Sequence, residues 1–256
     1  MTAALAVSRH QLRILKSDPA FLVIMFLMPL AIMPIMREAL GINLVAAGFG
    51  DADGAEQVVP GQMVMFGFFV AGSASFSLFR EHGWKTWDRI RASSTSPAAL
   101  LAGFAIPWII IHLLYQVLLL VVGGLLFGLE VEAKSLPALA LVLLGFSLCA
   151  VAIVLLAAAT LRTVNQVQAL VNVGAMVFAG IGGALVPFEQ LPGWAQAVAP
   201  ATPHYWAMQG HRKVFLEAGG VGEVAKAFWV LLAIAAVASI LGVKRFRADE
   251  TKEFFA

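Results

Sequence analysis

The sequence has 256 residues, 61% of them hydrophobic and only 12% charged, with a net charge of +2. A soluble domain carries about 25% charged residues, so an ordinary globular fold is excluded; the net charge is uninformative about nucleic acid, and no nucleic-acid partner is expected. One cysteine, Cys149, excludes a disulfide framework.

Taken in chain order, residues 3–16 predict an amphipathic helix on a membrane surface. Arg9, Arg13 and Lys16 share one face, with Val7 and Ile14 opposite. Asp18 and Pro19 read as cap and first residue of a membrane span over 19–36, in which Pro29 and Pro34 should kink the outer end. Uncharged runs recur at 57–79, 92–129 and 227–243, and Arg162 splits the stretch 135–188 into two more. A span needs roughly 20 apolar residues, so the count is six. Backbone groups in hydrocarbon must be paired within the segment, and runs without strict alternation select helices over barrel strands. The expected fold is all-α and integral to the membrane, a single domain over 1–256.

Between the spans, residues 37–57 predict an acidic loop with Asp51, Asp53 and Glu56. Residues 80–97 form the longest polar connection, and spans four and five meet in a tight turn at Arg162. Residues 187–222 are neither loop nor span. Pro187, Pro192, Pro200 and Pro203 divide short apolar pieces bearing Trp194, Tyr205 and Trp206, which suit short re-entrant helices in the outer interface. Lys and Arg fall 12 on the side of the termini and 5 on the other. The positive-inside rule therefore predicts cytoplasmic termini, with an uncleaved first span.

Missing motifs narrow the chemistry. There is no P-loop, no H-E-x-x-H, no paired cysteines and no G-x-S-x-G, so no catalytic residue, metal or cofactor is expected in this chain. The run from Gly180 to Gly183 reads as a helix kink, and Gly124 with Gly128 as a close-packing surface, like the run from Gly72 to Ser75. The span interiors hold no Asp, Glu, Lys or Arg, groups that ion-coupled transporters place at mid-membrane. His112 is the one ionisable side chain deep in a span and reads as a hydrogen-bond partner between helices. Asn165, Gln168 and Asn172, at i, i+3 and i+7, form a polar stripe that suits either a substrate pathway or interhelical bonding. Trp84 and Trp87 among charges suit a protein-contact surface or an anchor in the inner leaflet.

Two segments resemble type-2 ABC transporter permeases, especially drug and antibiotic-resistance members. One is Leu185, Pro187, Leu191, Pro192 and Trp194 followed by Pro200, Pro203, Tyr205 and Arg212. The other is Glu81 and Gly83 followed by Asp88, Arg89, Arg91 and Pro97, with Trp84 where a smaller residue is common. The resemblance implies a permease subunit of a bacterial cytoplasmic-membrane exporter. It would pair with a second permease, identical or paralogous, and with two copies of an ABC ATPase that binds the ATP and Mg. Glu81, Gly83, Trp84, Asp88, Arg89 and Arg91 would lie on a coupling helix that meets that ATPase, flanked by the basic helix. The substrate expected is small and amphipathic: a drug, a natural product or a lipid. Rival readings are an ion-coupled secondary transporter, an intramembrane enzyme using His112, and a non-transporting ABC component.

Overall fold

A computed structural model describes residues 3–17, 20–50, 52–84, 87 and 95–246. Its helices are α1 (Ala3–Ser17), α2 (Ala20–Ala46), α3 (Ala55–Gly83), α4 (Pro97–Phe127), α5 (Leu136–Thr160), α6 (Val164–Ile181), α7 (Gly193–Val198), α8 (Pro203–Phe215) and α9 (Val221–Arg245), with no strand among the described residues. Six of the described helices, α2 to α6 and α9, are long and apolar enough to cross a membrane. The chain is an all-α, multi-pass membrane protein.

Local chemistry sets the ends of these helices. Ser96 accepts a hydrogen bond from the Ala99 N–H ahead of Pro97 at the first position of α4. Thr163 and Gln166 form a reciprocal capping box at α6, and Thr202 accepts from the Tyr205 N–H at α8. Gly128 closes α4 with φ +70° and its N–H on the Gly124 carbonyl. Gly124 and Gly128 thus build a helix terminus rather than a packing face; the close approach on α4 belongs to Gly123, against Val59 of α3. The run from Gly180 is likewise a terminus and not a kink, because α6 stops at Ile181 and Gly183 turns the chain with φ +84°.

α3 is the central post, buried over most of its length, and packs against α2, α4, α5 and α6. α9 lies along α5 and α8. Lipid tails are as apolar as leucine, so close backbone approach and hydrogen bonds must hold such helices together. Two prolines supply acceptors for this. Proline has no N–H, so the carbonyl four residues earlier loses its helical donor. Pro29 frees the Met25 carbonyl, which takes the Tyr115 hydroxyl of α4 at 3.0 Å. Pro107 frees the Gly103 carbonyl, which takes the Ser8 hydroxyl of α1 at 3.0 Å. In the membrane each proline that weakens its own helix thereby ties it to a neighbour.

The acidic loop is shorter than the sequence predicts. α2 runs on to Ala46, which leaves 47–54 as the connection and puts Arg37 and Glu38 on the helix. Arg37 is accommodated there by an ion pair with Asp53, a hydrogen bond to the Phe127 carbonyl and the face of the Phe127 ring. Asp18, Pro19 and Asp51 lie outside the described residues.

Candidate functional site

On the α1 side of the bundle, the end of α3 carries Arg80, Glu81, Gly83 and Trp84. Glu81 is 1% exposed and accepts a hydrogen bond from the Gln11 amide at 2.9 Å, with His10 Nε2 at 3.4 Å. Arg80 donates to the other end of the same amide at 3.1 Å. The buried face of α1 is therefore Val7, Ser8 and Gln11, set against α3 and α4. Val7 packs on the core instead of meeting lipid, because its polar neighbours find partners there. Leu5 and Leu12 are exposed, on the side of Arg9 and Arg13. The side chain of Lys16 lies outside the described residues, as do Asp88, Arg89 and Arg91.

The two tryptophans divide. Trp87 is buried, stacked on the His82 ring with centroids 4.2 Å apart and edge-on to Phe246. Trp84 is 54% exposed, its ring under the Arg80 guanidinium at 5.2 Å. Of the residues read as a coupling surface, Glu81 faces inward and braces α1, Gly83 is half-buried, and Trp84 points out.

The polar stripe of α6 also divides. Gln168 donates to the Gly72 carbonyl and the Ser75 hydroxyl, both at 3.0 Å, and so joins α6 to α3. Asn165 and Asn172 lie on the exposed face beside Val173 and Met176. His112 is an interhelical partner as the sequence predicts: its Nδ1 meets the Ser147 hydroxyl of α5 at 2.9 Å, and Gln116 bonds the same hydroxyl and the Leu143 carbonyl.

At the other end, the short helices predicted between 187 and 222 are present: 3-10 turns Phe188–Gln190 and Ala199–Ala201, with α7 and α8. Pro187 and Pro203 are buried. Pro192 and Trp194 are exposed, and Tyr205 sits between the Phe188 and Trp206 rings. This cap is tied to the bundle by Gln57 on the Gly183 carbonyl and Gln190 on the Asn43 carbonyl, both at 2.7 Å, and by an Arg212–Glu189 ion pair with Arg212 over Phe49. Sequence reasoning missed His204, which is fully buried and ringed by Phe68, Phe146 and Phe178. Its signal was weak, since one histidine in a proline-rich stretch shows no period.

Asp53 sets the pH response of this end. Burial by itself would raise its carboxyl, but the Arg37 guanidinium and the Ala55 N–H hold it below the ordinary 3.8. A depressed carboxylate stabilises above its ordinary value, and that contribution is lost as pH falls through the lowered one. Amide protection at Gly48, Phe49 and Ala52, corrected for intrinsic exchange, should stay level from neutrality down to about pH 4 and fall below it. Asp53→Asn should lower it several-fold already at neutral pH. A wild-type profile that loses protection near pH 6 would contradict this account.

Residues 2–216 match the family described as ABC-2 type transporter. A linearmycin resistance permease protein of Bacillus subtilis (strain 168), LnrN, is 30% identical over 163 residues, covering 63% of this chain and only 42% of that protein. The family match takes in α1, the braced end of α3, five of the six candidate spans and most of the cap. The chain belongs to the ABC-2 type transporter family.

Proposed function

We propose that the chain is the membrane-spanning permease subunit of an ATP-driven exporter in the bacterial plasma membrane, with both termini cytoplasmic. ATP and Mg are bound by a separate ABC ATPase present in two copies, and a second permease, identical or paralogous, completes the pathway. The observation that carries this reading is Trp84. It is a large aromatic ring left exposed at the end of α3 while the neighbouring carboxylate is sealed under α1. Tryptophan and arginine anchor protein interfaces, and the basic excess supports a cytoplasmic position for this end, where the ATPase would be.

The exposed face of α6 is the best seat for the second permease and the pathway. Asn172 stands there near mid-helix among apolar residues. A polar amide turned to lipid is costly, and one turned to a protein or a wet cavity is not. The face of α2, by contrast, exposes Ile24, Leu27, Ile35 and Ile42, which suit lipid. With no charged side chain in the interiors of α3 to α6 and α9 to hold an ion, the substrate is amphipathic: a drug, a natural product or a lipid. The relative's name ties it to resistance to linearmycin, which favours a natural product.

The test is a pull-down of the tagged chain in mild detergent, with mass spectrometry of what accompanies it and an ATP-hydrolysis assay. Recovery of a P-loop ATPase whose hydrolysis is stimulated by the chain supports the reading. Purification of the chain alone, from cells expressing its gene neighbourhood, with transport that follows an ion gradient, would replace it by a secondary transporter.

A further inference from the structure

An apolar cavity of about 390 Å³ opens between α4, α5 and α9. Its walls are shaped by small residues, among them Ala102, Ala105, Ala235, Ala236 and Gly242, and Ser239 is the one polar side chain among the described residues that line it. It runs along α4 from Ala98 to Ile109 and along α9 from Leu232 to Val243. At 1.5 Å per residue each wall is about 16 Å long, half of the roughly 30 Å hydrocarbon core. The cavity therefore has the depth of one leaflet, and its shallow end lies at the helix ends on the α1 side.

Charge marks that end. Lys244 and Arg245 follow Gly242 and Val243 directly and are exposed, and residues 96–102 and 242–246 contain no acid. The start of α4 adds the positive end of a long helix dipole. An apolar slot one leaflet deep, with two exposed basic residues following its last lining residues on α9, is complementary to one class of molecule. We propose that it is a binding site for an anionic phospholipid of the α1-side leaflet, one acyl tail lying in the cavity and the headgroup at Lys244 and Arg245. The site lies away from the exposed face of α6, so the lipid is a resident of the subunit rather than cargo in the pathway. It depends on the multi-pass fold alone and not on the partner ATPase.

The experiment uses the full chain, purified with whatever accompanies it, in phosphatidylcholine vesicles. These are doped with phosphatidylglycerol or phosphatidylcholine carrying a photoreactive group in the tail. After illumination, adducts are mapped by peptide mass spectrometry. Adducts on α4, α5 and α9 peptides should exceed those on the exposed α2 face, and phosphatidylglycerol should outcompete phosphatidylcholine there by about tenfold. Ala102→Phe and Ala236→Phe, each at an exposed wall position that leaves the core untouched, should remove these adducts without changing those on α2. Lys244→Gln with Arg245→Gln should erase the preference for phosphatidylglycerol while keeping the adducts. Equal labelling of α2 and the cavity, or equal labelling by the two lipids in the wild type, would overturn the proposal. So would an efficient disulfide between copies through Ile106→Cys, which would show that protein covers the slot.

Discussion

Replacing Trp84 with alanine is expected to weaken association with the ATPase about thirtyfold and to abolish transport, while the chain still reaches the membrane and folds. A buried hot-spot tryptophan is worth 2 kcal/mol or more, a factor of about thirty. The ring is already held in place by Arg80 at 5.2 Å, so it loses little freedom on docking. Trp87→Ala should behave differently. That ring is packed between His82 and Phe246, so its loss lowers stability instead of opening a contact. Glu81→Ala acts at one remove. It leaves the Gln11 amide without its acceptor and frees α1 from α3, so binding should weaken less than in Trp84→Ala, and Glu81→Gln should restore part of it. The measurement is affinity for the purified ATPase with the chain in lipid nanodiscs. Unchanged affinity in Trp84→Ala, together with quenching of Trp84 fluorescence by brominated lipid, would assign this ring to the inner leaflet.

The spans were legible because their signal is redundant. Twenty apolar residues in a row admit few readings. The cap was legible for a similar reason: four prolines in 17 residues leave no room for a span. What was hidden depends on contacts between distant residues. Nothing in the string says that Pro107 frees the carbonyl that Ser8 takes, although the prolines at 29 and 107 do announce that two carbonyls are free. Glu81 looks like a surface charge, and the amide of Gln11, 70 residues away, with His10 beside it, explains how it is buried. The polar stripe of α6 lies at the edge of a contact: Gln168 bonds α3, whereas Asn172, only about 40° further round the helix, is already exposed. The acidic loop shrank because charge was taken as the end of a helix, whereas α2 runs on through Arg37, which has three contacts of its own.

Gly61→Ala is expected to destabilise the protein by about 3 kcal/mol, lowering Tm by roughly 10 °C, and to loosen the cap. A Cβ at Gly61 would lie 2.2 Å from the Ala184 carbonyl oxygen. That atom is backbone, fixed by the turn that ends α6, so it has no rotamer to give. The neighbouring tie, Gln57 to the Gly183 carbonyl at 2.7 Å, would break as the turn moves, and the cap would lose one of its anchors to α3. Gly180→Ala is the matched control. It adds the same methyl one residue before the end of α6 into open space, and alanine's higher helix propensity should make it neutral or stabilising by up to about 1 kcal/mol. Thermal unfolding in detergent and protease cleavage between 187 and 202 would check both variants. Equal Tm values for the two would sink the close-approach argument. The position of Gly61 also makes this variant informative about function. It stands 23 residues from Trp84 along α3, about 34 Å at 1.5 Å per residue. ATPase affinity in Gly61→Ala should therefore stay at the wild-type value even as the cap loosens. Loss of transport with binding intact would place the cap in the pathway, because the Trp84 end would be shown to work with its far end disturbed.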